Sequence, residues 1–252
     1  MKKSPGLASM FAIYRRELLA YLTTPTAYVF VAVFLFAIGL FTFQVGGLFE
    51  ARRADLSAFF AFHPWIFMVF LPAIAMRLWA EETRSGAIEV LMTLPAPTWA
   101  LVLGKFLAAW TIAAGALVLT LPLWISINVL GAPDNAGIIT AYLASVLMAG
   151  AYIAIGSMMS ALTGAQVVAF VLAVLVAFLL TALGAPMVAD FFNGFVGGAL
   201  SEAISRFSIL HHFDAAQRGV IEARSIVYFV SLIGLCLALT GLVVDARRGG
   251  AK

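Results

Sequence analysis

Charged residues and cysteine are both scarce in this chain. Only 11% of the residues are charged and the mean hydropathy is +1.06, whereas a water-soluble domain carries about 25% charged residues. The composition therefore excludes a soluble globular domain. The single cysteine, Cys236, excludes a disulfide within the chain and a zinc–thiolate site. Because it lies in an apolar run, we interpret Cys236 as a small packing residue.

The sequence also lacks the motifs of several catalytic classes. None of its lysines lies in the phosphate-binding pattern G-x-x-x-x-G-K-S/T, so the chain cannot hydrolyse ATP by that route alone. Glu81-Glu82 and His211-His212 resemble the paired ligands of membrane metalloproteases only loosely. The topology predicted below places the two pairs on opposite sides of the membrane, whereas metal ligands must converge. We therefore predict no catalytic residue and no metal site.

Long runs without a charged residue make up most of the sequence. Each is long enough to cross the ~30 Å hydrocarbon layer, which takes about 20 helical residues. The run over residues 135–189 is too long for one crossing, and Thr163, Gly164 and Gln166 interrupt it, so we divide it in two. The prediction is an all-α polytopic membrane protein, a single domain over 1–252, with six transmembrane helices at about 26–48, 62–80, 101–127, 139–162, 166–187 and 225–245.

Prolines and small residues indicate how these spans bend and pack. Pro72 and Pro122 each remove a backbone hydrogen bond and favour a kink. Gly156, Ser160 and Gly164 recur every four residues, a spacing that lets helices approach closely.

Two further segments are amphipathic enough to lie on a membrane surface. Residues 6–22 mix apolar side chains with Arg15, Arg16 and Glu17, which predicts an N-terminal interfacial helix. Residues 190–224 alternate aromatic and aliphatic clusters with glycine and single charges, which predicts short helices on the outer leaflet before the last span. That outer segment could be a gate, a docking face for an extracytoplasmic partner, or a lid over helix ends. Its candidate residues, with one from the start of the second span, are His63, Phe191, Phe195, His212 and Arg218.

The basic residues predict how the chain is oriented. With the N-terminus inside, ten of the 15 lysines and arginines lie on the cytoplasmic side. This bias follows the positive-inside rule and places both termini in the cytoplasm. The sequence pI near 9.2 therefore reflects membrane topology, and we predict no nucleic-acid partner.

The sizeable charge cluster between two apolar runs covers residues 76–105. Its charges can share one side of a helix, opposite an apolar side, until Pro95 and Pro97 end it. This predicts a helix at the cytoplasmic membrane surface on which a partner could act. Its candidate contact residues are Arg77, Glu81, Glu82, Arg84, Gly86 and Glu89.

These features together resemble a known family. Six spans, the amphipathic N-terminal helix, Ala80-Glu81-Glu82, Gly86 and Gly104-Lys105-Phe106 are similar to the permease subunit of ABC-2 type (type V) transporters. His63-Pro64 and the residues from His212 to Tyr228 resemble, more narrowly, the gliding-motility-associated (Gld-type) permeases. Gliding itself is not inferred, because such permeases resemble one another in bacteria that do not glide.

The resemblance implies a division of labour in the bacterial inner membrane. Two permease chains, identical or different, would build the pore among membrane lipid, and separate ABC ATPase subunits would carry ATP and Mg; this chain itself would hold no cofactor. The cytoplasmic helix between spans two and three, here Glu81 to Thr93, would be the coupling helix that contacts the ATPase. An auxiliary membrane subunit with an extracytoplasmic domain would be a further partner.

The predicted function is therefore an ATP-driven permease that exports or extracts a substrate. Two alternatives stay open, a non-transporting anchor that couples ATP hydrolysis to an extracytoplasmic machine, and a secondary transporter. Charged residues at mid-membrane, which secondary transporters use, are lacking here.

Overall fold

The computed structural model describes residues 5–48, 50, 55–88, 96–185, 187–188, 205–220 and 222–250, and within these ranges every regular element is helical. A π-helical turn, Phe41–Val45, extends the second helix. The all-α class is therefore confirmed. The helices are α1 Pro5–Thr23, α2 Pro25–Leu40, α3 Ser57–Ala61, α4 His63–Ala75, α5 Arg77–Ser85, α6 Thr98–Val118, α7 Leu121–Leu130, α8 Asn135–Leu162, α9 Gln166–Ala182, α10 Ile209–Gln217 and α11 Ala223–Gly250.

Several of these helices are long and apolar enough to cross a membrane. Among the described residues there are five such stretches. A further predicted span corresponds to the apolar helix α9, whose length of 17 residues lies at the short end of the usual range of about 17–25. The chain is thus a membrane protein, and the count of six spans stays a prediction. The five stretches are Ala27–Val45, His63–Ser85, Thr98–Leu130, Asn135–Leu162 and Ala223–Arg248.

Helix α8 forms the centre of the bundle, packed against α4, α5, α6, α9, α10 and α11. Small residues along it allow this crowding. A Cβ added to Gly156 would lie 2.5 Å from the Cβ of Ala75, and one added to Gly164 would lie 3.4 Å from the Cγ2 of Thr83. The close approach predicted from these glycines is confirmed.

The prolines of the second and third spans differ in their effect. Pro72 lies inside α4, and the helix ends only at Ala75, just before Met76. Pro122 lies in the first turn of α7, directly after the break that separates α6 from α7 at Leu119 and Thr120. The missing N–H of Pro122 therefore falls where a helix start leaves that donor unused anyway.

Helices α1 and α2 differ in how much they pack against the rest of the bundle. α1 packs along α6, where a Cβ on Gly104 would meet the Cγ2 of Ile13 at 2.9 Å. The Tyr21 hydroxyl also ties α1 to α4 by donating to the carbonyl of Ile74 at 3.2 Å. α2 instead leaves large apolar side chains such as Tyr28 and Phe36 exposed, as a lipid-facing helix does.

Candidate functional site

The helix that carries the predicted coupling residues is anchored in the centre of the bundle. Trp79 of α5 is fully buried, and its indole N–H donates to the Ser157 hydroxyl at 3.1 Å. The Ser160 hydroxyl accepts from the backbone N–H groups of Trp79 and Ala80, at 3.1 and 3.0 Å, and donates to the carbonyl of Met76 at 2.7 Å. One side chain of α8 thus makes all three hydrogen bonds open to a hydroxyl at the junction of α4 and α5.

A buried lysine joins α5 to its other neighbours. Lys105 of α6 is 2% exposed, and its ammonium donates to the Oε1 of Glu82 at 2.7 Å and to the carbonyl of Leu78 at 2.9 Å. The Oε1 of Glu17 on α1 lies 3.4 Å from the same nitrogen. Arg16 completes the group, 2.5 Å from Glu17 and 3.5 Å from Glu82. We call Arg16, Glu17, Glu82 and Lys105 the inner charge cluster.

The inner charge cluster is electrically balanced, with two carboxylates against an ammonium and a guanidinium. Burial alone would raise the pKa of Glu17, but the Lys105 ammonium and the Arg16 guanidinium outweigh burial and hold that pKa below its ordinary value of 4.5. Glu17 therefore stays ionised near neutral pH. A cavity of about 160 Å³, bordered by both carboxylates and by Arg77 and Glu81, lies next to the cluster.

The remaining charges of α5 face outward. Glu81 is exposed, with its Oε2 3.7 Å from the Nε of Arg77. The same oxygen accepts a hydrogen bond from the side chain of Gln166 at the start of α9. Arg84, one turn further on, is exposed in the last turn of α5. These residues, rather than Glu82, are the charges of α5 that are open to solvent.

The helix predicted from Glu81 to Thr93 is not continuous. α5 ends at Ser85, because Gly86 adopts a left-handed conformation with φ 72°, which glycine accepts without a steric cost. Ala87 and Ile88 are helical again. Glu89 and the residues up to Pro95 lie outside the described residues. The prediction of one uninterrupted helix was therefore wrong at Gly86, where the chain changes direction.

The predicted outer residues lie at the opposite end of α8. The Thr140 hydroxyl donates to the carbonyl of Ala216 on α10 at 2.9 Å, whereas Ser160 contacts α5. Twenty residues of helix separate these two contacts along α8, about 30 Å at 1.5 Å per residue. We call the two ends inner and outer after the predicted topology.

His63 lies in the interior at the outer end and not on the surface. It is fully buried at the start of α4, among the rings of Phe59, Phe60 and Phe67, whose centroids lie 4.5–5.3 Å away. Its Nδ1 lies 3.3 Å from the Ser145 hydroxyl. His63 was predicted for an outer gate or a partner contact. A side chain with no exposed area cannot contact a partner directly, and the gate role stays a prediction.

His212 is held by partners on three sides. Its Nε2 lies 2.9 Å from the carbonyl of Arg206, which can only accept, so this nitrogen carries the proton and Nδ1 accepts from the Ser225 hydroxyl at 3.2 Å. Its ring stacks on Tyr228 with centroids 4.2 Å apart. Burial lowers the pKa of His212 below its ordinary value of 6.5. His212 thus fastens α10 to α11 as a neutral side chain.

Arg218 is the outer candidate that is open to solvent. It is exposed just after α10 and borders a cavity of about 300 Å³ together with Asp55 and Asp134. Both carboxylates bind nearby backbone N–H groups, those of Ser57 and of Ala136 and Gly137. Phe191 and Phe195 lie outside the described residues. The described part of the chain brings together no cluster of histidine, cysteine, aspartate and glutamate that could hold a metal ion.

Sequence reasoning missed the residues that hold α5 in place. Lys105 was noticed as a basic residue and Glu17 as part of an interfacial helix, but neither was assigned to a common cluster. A lysine at the very edge of a charge-free run was the available signal, because burying it requires acidic partners. Which of the nearby glutamates supply that charge depends on how α1, α5 and α6 pack.

Comparison with known proteins identifies the family. Residues 11–246 match the family model described as ABC-2 family transporter protein. The match covers most of the chain, so the chain belongs to this family. Members are membrane components without an ATPase domain of their own, and the family in general works with an ABC ATPase partner. No curated protein matches this chain at a significant level.

Proposed function

We propose that this protein is the permease subunit of an ATP-driven transporter and couples a separate ATPase subunit to export or extraction of a substrate across the bacterial inner membrane. The observation that carries the proposal is the construction of α5. Its buried side, with Trp79 and Glu82, is fixed to α6 and α8, and its other side, with Glu81 and Arg84, is exposed. A force applied to the chain here would reach the transmembrane core through rigid contacts.

The coupling surface we propose is the end of α5 together with the segment that follows it, residues 81–93. Within it, Glu81 and Arg84 are the charged contacts, while Glu82 orients α5 from inside the protein. Arg77 lies just before this surface and pairs with Glu81. Gly86 supplies the turn that directs the segment away from α5. Glu89 belongs to the proposed surface on sequence grounds alone.

We propose six crossings, with α9 as the fifth and both termini in the cytoplasm. Support comes from the two ends of α9: Gln166 contacts Glu81 at the inner end, whereas the Thr181 carbonyl accepts from Ser208, just before α10. The Thr181 hydroxyl also meets the Tyr152 hydroxyl, which contacts Pro64 at the start of α4. α9 therefore covers the depth from the start of α4 to Glu81 of α5, most of the crossing stretch His63–Ser85.

The experiment is purification of the complex from native membranes with every co-eluting subunit identified, followed by ATP hydrolysis with and without the permease. Arg84→Glu should reduce recovery of an ABC ATPase and its stimulated hydrolysis, because removing one partner of a desolvated charge pair at an interface costs roughly 2–5 kcal/mol of association. Arg224→Glu, an exposed charge reversal at the outer end, is the matched control. Unchanged recovery and stimulation in Arg84→Glu and in a Glu81→Arg companion would refute the proposed coupling surface.

A further inference from the structure

The last turn of α11 contacts the chain just before α6. The guanidinium of Arg248 donates to the hydroxyl of Thr98 at 2.9 Å and to the carbonyl of Ala96 at 3.2 Å. Thr98 in turn donates its hydroxyl proton to the carboxylate of Asp245, one turn earlier on α11. Two side chains of α11 therefore fix the point at which the chain re-enters the bundle.

The neighbouring arginine contacts the other side of the same connection. Arg247 donates to the hydroxyl of Thr83 at 2.8 Å, and this hydroxyl donates to the carbonyl of Trp79 at 3.0 Å. Thr83 lies in the last turn of α5, three residues before Gly86. Consecutive arginines of one helix thus bind the residues on which the connection from α5 to α6 begins and ends.

We propose that Asp245, Arg247 and Arg248 form a clasp that positions the coupling segment, making α11 the element that moves with it. The inference rests on the proposed function for its consequence in coupling, but the clasp itself is a property of this chain. Both arginines are partly buried, so their hydrogen bonds are less screened than those of exposed side chains. Arginine suits this role because its guanidinium can donate to two acceptors at once.

Helix α11 connects the clasp to the outer end of the bundle. Over 28 residues, about 42 Å of helix, α11 runs back to the outer end. There the Tyr228 hydroxyl donates to the carbonyl of Phe207 at 2.6 Å, and Ser225 contacts His212. A displacement of the coupling segment would therefore be passed by one helix to the outer helix α10.

The first test needs no ATPase. Hydrogen exchange of the purified permease in nanodiscs should be about tenfold faster or more for amides around 84–88 and 98–101 in Arg247→Gln/Arg248→Gln than in the wild type, because charged hydrogen bonds are lost. Arg224→Gln, which removes the same charge from the first turn of α11, should leave these amides unchanged. Thr98→Val should reproduce the effect of Arg248→Gln and should not add to it. Unchanged exchange in the double arginine variant would overturn the clasp.

The second test separates the clasp from the proposed function. In the reconstituted complex, the double arginine variant should bind the ATPase with the wild-type Kd but lose most of its stimulated hydrolysis. The variant Arg247→Gln/Arg248→Lys, which keeps the charge at position 248, should retain part of that hydrolysis. Faster exchange with fully normal stimulation would overturn the role of the clasp in coupling. If the wild-type permease neither binds nor stimulates an ABC ATPase, the proposed function fails, and the exchange experiment alone decides the clasp.

Discussion

Replacing Lys105 by methionine tests the inner charge cluster, because it removes the ammonium while keeping most of the side-chain volume. Among the described residues, the carboxylates of Glu17 and Glu82 then keep only Arg16 as a basic partner, and the carbonyl of Leu78 loses its donor. Removing one partner of a buried ion pair costs about 3–5 kcal/mol. Protonation of one carboxylate limits the loss, so we expect a value near the lower end, about 3 kcal/mol.

Thermal unfolding in a fixed detergent is the assay. For a chain of this size, about 3 kcal/mol corresponds to a fall in Tm of roughly 6–12 °C. Arg84→Met, which removes an exposed charge from α5, should shift Tm by no more than about 1–2 °C. Adding Glu82→Gln to Lys105→Met should recover part of the loss, because one uncompensated charge disappears.

The pH dependence gives an independent check on the same cluster. The pKa of Glu17 is lowered in the folded protein, so its contribution to stability is present above its ordinary value of 4.5 and is lost as the pH falls through the folded-state pKa. The difference in Tm between the wild type and Lys105→Met should therefore narrow below about pH 4.5. A Tm for Lys105→Met within about 2 °C of the wild type at pH 7 would refute the reasoning.

Three further predictions follow from single positions. Gly86→Ala should lower the free energy of unfolding by about 1–2 kcal/mol, because a Cβ is strained at φ 72°. In the same unfolding assay, Gly115→Ala, at a helical glycine with open space around it, should be neutral or stabilising. Burial lowers the pKa of His212, so stability should fall as the pH drops below about 6.5, and His212→Gln should flatten that fall; equal slopes would contradict it. After the native cysteine is replaced by serine, single cysteines at Ser85 and Arg218 should react with an impermeant thiol reagent from opposite sides of the membrane. Labelling of both from one side would reject six crossings.

Much of the fold was accessible from local sequence patterns. Uninterrupted apolar runs predict helices that cross a bilayer, because such a run buries no charge and each helix satisfies its own backbone hydrogen bonds. The same patterns predicted α8 and the close packing at Gly156. They were less informative for the coupling segment, where amphipathic spacing suggested a helix through Gly86, because spacing does not reveal a residue with positive φ.

The sequence by itself determined the class of protein, because hydrophobicity and charge spacing act locally and do not depend on which helices become neighbours. Tertiary structure decided which charges are exposed and which are paired inside the bundle. Glu81 and Glu82 are adjacent and chemically alike, yet Glu81 is exposed and Glu82 is paired with the buried Lys105. That difference arises because consecutive residues on a helix point about 100° apart, so only the packing of α1 and α6 against α5 decides which carboxylate meets the ammonium.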